Sequence, residues 1–230
     1  MNTKHINTCS SLVNDNSCFN LLSPEELALV EGNQVILNYN KGEIICKQGS
    51  QASHIILLQK GLVKAYLEGT PKNLVLTIMP SGQLIGLPSI FEGNNTFLYS
   101  VSCYVDSTVK MINIDVITHL ISQNSGFAAR IINILNEGTA QNYGRFFSLV
   151  QKQLHGRMAD ILLCLSQRIF KSISFNLPLS RTDLGELTSM STESVIRIFK
   201  DFKENKLIAV NGKTIEILDE EKLEMISEKG

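Results

Sequence analysis

Hydrophobic and polar positions divide the chain into three zones. A polar lead over residues 1–20 ends in Leu21-Leu22-Ser23-Pro24-Glu25-Glu26-Leu27. Ser23 before Pro24 predicts a helix N-cap with proline at the first helical position, and Glu26 completes a capping box. Short β-runs then follow at 34–39, 43–47, 54–59, 62–67, 74–79, 97–104 and 108–114, with Gly42, Gly49, Gly61, Gly69, Gly82 and Gly93 between or beside them. Many short strands at regular spacing predict an antiparallel barrel or jelly roll. Tyr99, Val101, Cys103 and Val105 alternate with Ser100, Ser102 and Tyr104, which predicts one apolar and one polar strand face.

The period then changes. Over 126–150, Phe127, Ile131, Ile134, Leu135, Gly138, Phe146 and Leu149 recur at three-to-four spacing, a long helix with an apolar stripe. Such a stripe packs on its own barrel or on a second copy of itself, and parallel self-pairing makes a two-fold dimer. A second helix carries Met158, Ile161, Leu162, Leu165 and Ile169 on one face. Ser180 then caps a helix with Asp183 at its third position, burying Leu184 and Leu187. Thr188-Ser189-Met190-Ser191 is a short turn, and Ser191 caps a helix over 192–204. In it Val195, Ile198, Phe199 and Phe202 form the buried face, and Glu193, Ile196, Arg197 and Lys200 the exposed one. Two short helices joined by a tight turn read as a helix-turn-helix. Runs at 207–210 and 213–217 flank Asn211-Gly212, a type I′ hairpin signal, and a hairpin placed there is a wing.

Charge changes the picture locally. The 230 residues hold 21 Lys+Arg and 22 Asp+Glu, a net charge of -1, with 43% hydrophobic and 19% charged residues. That balance excludes wholesale disorder and a wholly basic nucleic-acid binder. Between Lys152 and Lys213, however, ten basic residues face six acidic ones, while the tail beyond is acidic. A locally basic module suits a phosphate-facing surface. No apolar run approaches a membrane span and no secretory h-region precedes Cys18, so a cytoplasmic protein is expected. Five cysteines (Cys9, Cys18, Cys46, Cys103, Cys164) without C-x-x-C fit neither a disulfide framework nor a zinc site. His5, His54, His119 and His155 are far apart and show no metal-ligand spacing. With no His-x-His cluster and no phosphate-binding G-x-x-x-x-G-K-[ST], an enzyme is not expected.

These residues resemble the Crp/Fnr transcription regulators. Leu179-Ser180-Arg181-Thr182-Asp183-Leu184-Gly185-Glu186-Leu187 with Ser191-Thr192-Glu193-Ser194-Val195-Ile196-Arg197-Ile198-Phe199 is similar to that family's winged helix. Lys41-Gly42-Glu43-Ile44-Ile45, Gly49 and Leu58-Gln59-Lys60-Gly61-Leu62-Val63-Lys64 resemble its β-roll, and Gly156-Arg157-Met158-Ala159 the opening of its DNA-binding domain. The resemblance implies an α+β fold: a polar lead at 1–20, an antiparallel cyclic-nucleotide-binding-like β-roll at 21–125, a dimerisation helix at 126–152 and a winged helix-turn-helix at 153–230. It implies a homodimer on an inverted-repeat DNA operator, with RNA polymerase as a further partner.

The implied base-reading positions are Glu193 and Arg197, with Ile196 against a thymine methyl. Thr192 stands where some members have Arg, which points to a different base preference. Arg181, Ser191, Lys200 and Lys213 read as phosphate contacts. At the sensor end, Gly82-Gln83-Leu84-Ile85-Gly86-Leu87-Pro88 has no acidic residue and Leu98-Tyr99-Ser100 no Arg, so cyclic AMP is not expected. Cys9, Cys18 and Cys103 fall short of a four-thiolate iron–sulfur site. Haem would need His54 or His119, lone histidines of the kind that more often serve structure. The candidate effector pocket is apolar, formed by Gly82, Leu84, Ile85, Gly86, Leu87, Tyr99 and Ser100 between the roll and the long helix. The other reading of the roll is a signalling module that regulates a protein partner, which would not need Arg197 exposed.

Overall fold

The computed structural model describes residues 15–70 and 72–230; the lead over 1–14, with His5 and Cys9, lies outside the described residues. The chain divides into two compact units, residues 15–68 with 78–139, and residues 69–77 with 140–230.

The first unit opens with a 3-10 helix (Asp15–Leu21), followed by helix α1 (Pro24–Gly32). Its capping box forms as the sequence predicts: the Glu26 N–H donates to the Ser23 hydroxyl at 3.3 Å, and the Ser23 N–H donates to the Glu26 carboxylate at 2.8 Å. Strands β1 (Gln34–Tyr39), β2 (Ile44–Cys46), β3 (His54–Lys60), β4 (Leu62–Leu67), β5 (Leu74–Pro80), β6 (Leu84–Ile85), β7 (Ser100–Cys103) and β8 (Ser107–Asn113) follow. They form two four-stranded sheets, ordered β1-β8-β3-β6 and β2-β7-β4-β5. The β1–β8, β3–β8, β3–β6, β2–β7 and β4–β7 pairings are antiparallel, the β-roll expected from the sequence.

The serine face of β7 is buried along with its apolar face, and Ser100 finds polar partners there. Ser100 donates to the Glu68 carboxylate and accepts the Gln48 N–H, each at 2.8 Å. Helices α2 (Ile114–Gln123) and α3 (Ser125–Gln151) complete the element order of the roll. One core cluster joins Ile55, Leu57, Leu84, Leu87 and Ile112 of the roll to Ile117 and Leu120 of α2 and to Phe127, Ile131 and Ile134 of α3. Phe146, predicted to share that stripe, is instead exposed. Nineteen residues at about 100° each place it about 100° around the helix from Phe127.

The second unit contains α4 (Leu154–Cys164), a π-helical turn (Leu165–Phe170), β9 (Ser174–Asn176), α5 (Arg181–Thr188), α6 (Thr192–Glu204), β10 (Ile208–Asn211), β11 (Thr214–Ile217) and α7 (Glu220–Lys229). The wing is a three-stranded sheet ordered β10-β11-β9. Asn211 pairs with Thr214, so the turn residues are Gly212 and Lys213, one position later than the sequence suggests. Gly212 has φ 59° and Lys213 is not in the left-handed region, so φ is positive at the first central position only, as in a type II′ turn rather than I′. No helix among the described residues is long and apolar enough to cross a membrane.

Cys18, Cys46 and Cys103 are buried free thiols. Burial pushes the Cys46 thiol up to about 12 and raises that of Cys103.

Candidate nucleic-acid interface

Local sequence positions the two helices. Ser180 and Asp183 form a reciprocal capping box on α5: the Asp183 N–H donates to the Ser180 hydroxyl at 3.1 Å, and the Ser180 N–H donates to the Asp183 carboxylate at 2.8 Å. Ser189 turns the chain through φ 53°, and the Ser191 hydroxyl accepts the Ser194 N–H at 3.2 Å to start α6. Helix α6 then buries Val195, Ile198, Phe199 and Phe202 among the residues of the winged helix core.

That burial dictates the opposite face. Glu193, Ile196, Arg197 and Lys200 are exposed together, as the spacing requires. Ile196 is 55% exposed, so its apolar side chain is open to contact on that face. Among the described residues Arg197 has no ion-pair partner, Glu193 one turn earlier included, so its five donors are free. The Glu193 carboxyl is held below its ordinary value by its own backbone N–H and by the Ser191 hydroxyl, and it is anionic at neutral pH. Lys200 lies 3.7 Å from Glu204 in an exposed pair of little energetic weight. Lys213 projects from the tip of the wing. Thr192 is the first residue of α6, and Ser191 is its exposed N-cap.

Arg181 is positioned differently from a free phosphate ligand. Its guanidinium lies over the Phe199 ring, 3.7 Å from the centroid, and desolvation lowers its pKa. It braces α5 against α6 while its edge stays available. Two further arginines hold the C-terminal end of α5, where helix carbonyls lack partners. Buried Arg145 donates to the Leu187 carbonyl, and Arg157 to the Thr188 carbonyl at 3.4 Å. Neither role is visible in the sequence pattern, because each contact joins residues more than thirty positions apart.

Residues 156–226 match the family model of the Crp-like helix-turn-helix domain, and residues 36–124 that of the cyclic nucleotide-binding domain. The two occur in the order that the fold presents. The chain belongs to the Crp/Fnr family of transcription regulators. It is similar to the transcriptional activator protein FnrA of Stutzerimonas stutzeri, 26% identical over 190 residues that cover 78% of this chain and 75% of that protein. The transcriptional activator protein anr of Pseudomonas aeruginosa is 26% identical over 187 residues, covering 78% and 75%. Its fold is that of FixK2 from Bradyrhizobium japonicum, with a TM-score of 0.77 at 17% identity over 84% of this chain and 96% of that one. A CooA mutant from Carboxydothermus hydrogenoformans gives a TM-score of 0.76 at 18% identity over 96% and 99%. The protein is thus a DNA-binding transcription regulator.

In this Crp/Fnr regulator the expected sensor residues are core residues. Gly82, Leu84, Ile85, Gly86, Leu87, Tyr99 and Ser100 are all buried. The structure brings Gly86 and Tyr99 together: the Gly86 N–H donates to the Tyr99 hydroxyl at 3.0 Å, and burial raises the Tyr99 pKa. Gly86 stands at φ 97°, and a methyl there would lie 3.0 Å from the Phe97 ring. Leu84 and Leu87 pack in the same buried cluster as Ile131 and Ile134 of α3. Ser100 points instead to Glu68 and Gln48. His54 begins β3, with Nδ1 2.8 Å from the Ser53 hydroxyl, while His119 is exposed on α2. Among the described residues no group of three or more His, Cys, Asp or Glu side chains is arranged to hold a metal ion.

Proposed function

We propose that the protein acts as a homodimer on an inverted-repeat operator, reading bases with Glu193, Ile196 and Arg197. The observation that carries this reading is the solvent-facing set of those three side chains on a helix whose other face is core. Arg197 pairs in bidentate fashion with guanine O6 and N7, Glu193 accepts from the cytosine N4 amino group, and Ile196 packs on a thymine methyl. Ser191, Lys200, Lys213 and the free edge of Arg181 meet phosphates, which set the register.

The dimer reading is supported by α3. Tyr143, Phe146, Phe147 and Val150 follow one another at i, i+3, i+4 and i+7, and each is at least half exposed. Four large apolar side chains on one helical seam suit a second copy of the same helix. A two-fold dimer presents two reading helices to successive major-groove turns, with half-sites about 34 Å apart.

For the roll, we infer that cyclic AMP is not its ligand. The groups that would meet a cyclic phosphate do not fit it. The Gly86 N–H is taken by the Tyr99 hydroxyl, and position 98–100 offers Leu, Tyr and Ser with no guanidinium. A phosphate buried there would lack its charge partner. An effector, if the roll takes one, is uncharged and must displace core side chains such as Leu84 and Leu87.

Sedimentation with a duplex carrying an inverted repeat enriched by binding-site selection tests the assembly. Two protomers per inverted repeat are expected, and one protomer per duplex would overturn the dimer. Calorimetric titration with cyclic AMP is expected to give no binding heat; saturable binding would overturn the reading of the roll.

A further inference from the structure

The DNA-reading module joins α3 through Lys152 and Gln153, the short break before α4. A polar knot is buried at this break. The Asp160 carboxylate of α4 accepts the Ser148 hydroxyl of α3 at 2.8 Å, the Lys152 ammonium at 2.7 Å and the Ser227 hydroxyl of α7. Lys152 also reaches the Ser227 hydroxyl at 3.1 Å. Asp160, Ser148 and Ser227 are all buried. A buried carboxylate is costly unless its lone pairs are satisfied, and here three donors from three separate segments satisfy it. The backbone around the break is held as well, since Arg157 Nε donates to the Lys152 carbonyl at 2.9 Å.

Helix α7 reaches the same place a second time. A methyl on Gly156, in the first turn of α4, would come within 3.0 Å of the Gly230 backbone, so the end of α7 packs backbone to backbone on α4. The helix begins directly after β11 of the wing, with Asp219 as its N-cap. It therefore ties the wing at one end to the α3–α4 break at the other.

We propose that α7 is a clamp that sets the angle between the dimerisation helix and the winged helix, and that Ser227 and Asp160 are the positioning residues that close it. Neither side chain lies on the reading face of α6. What the clamp governs is the spacing at which two winged helices of a dimer present themselves to DNA. This rests on the dimer reading given above. A buried ion pair with satisfied hydroxyls suits such a role, because it specifies one arrangement more sharply than apolar packing does.

The test is Ser227→Ala in the full chain, which removes one hydroxyl from the knot. The probes are a duplex with one selected half-site, the inverted repeat, and repeats with one base pair added or removed at the centre. The expected result is unchanged affinity for the single half-site, a loss of about tenfold on the inverted repeat, and a flattened preference among the three spacings. Should the alanine variant fail to fold, Asp160→Asn carries the same comparison. Wild-type spacing preference in the variant, or an equal loss on half-site and repeat, overturns the clamp. A wild-type protein that binds the half-site as tightly as the repeat overturns the dimer reading beneath it, and the clamp with it.

Discussion

Arg197→Ala is the most informative substitution on the reading helix. The side chain is exposed and has no ion-pair partner among the described residues, so its removal breaks no bond in the free protein. Surface changes of this kind stay within about 0.5 kcal/mol in folding stability. On DNA the accounting differs. A bidentate contact to guanine contributes about 1–3 kcal/mol of discrimination, a factor of about 5 to 150 per half-site. A dimer uses the residue twice, so the inverted repeat loses about 2–6 kcal/mol if the half-sites act independently. The assay is titration of wild-type and variant protein against the selected operator and against operators substituted one base pair at a time. The variant should lose its preference at one position in each half-site and keep it elsewhere. A uniform loss across all operators, with every base preference intact, would show that Arg197 meets phosphate and would refute its assignment as a base reader.

Other expectations follow from the same geometry. Phe147→Asp places a charge in the exposed seam of α3, where the side chain is 60% exposed; sedimentation should show a folded monomer, and a persistent dimer would remove that seam from the interface. Gly61→Ala combines φ 123° with a methyl 2.9 Å from the Ser107 Cα. It should cost at least about 1–3 kcal/mol, seen as a lower midpoint in thermal melting, and an unchanged midpoint would refute the strain argument. Glu193 titrates below its ordinary 4.5, so its contribution to stability is complete above that value and fades as pH falls through the lowered one. Side-chain NMR titration should place its midpoint under 4.5, and a midpoint above it would contradict the Ser191 contact.

Much of this architecture is legible where the signal is local. Ser23-Pro24 with Glu26, and Ser180 with Asp183, name their own helix starts because capping needs only residues three positions apart. The bounds of α6 and its two faces follow from one amphipathic period. Where partners are distant, the pattern is silent. Strand β9 has three residues and exists through its pairing with β11, a contact between positions some forty residues apart. The polar face of β7 gives no sign of its burial, because the partners of Ser100, the Glu68 carboxylate and the Gln48 N–H, are distant in sequence. Helix α7 hides in an acidic tail, where Asp219 before two glutamates is its one local N-terminal signal. Phe146 leaves the buried stripe because three-to-four spacing, followed over nineteen residues, drifts round the helix. The exposed face of α6 with Glu193, Ile196 and Arg197 is legible in the sequence, whereas the arginines that hold α5 and the knot at Asp160 are not.

The central claim is that the dimer reads DNA through α6. Binding-site selection tests it most directly, with purified protein, no added effector and a random duplex library at about physiological salt. The account predicts enrichment of an inverted repeat whose half-sites are centred about 34 Å apart, each containing a G·C pair whose preference vanishes in Arg197→Ala. Retention of duplexes without any shared sequence, or of a single unrepeated site, would contradict it.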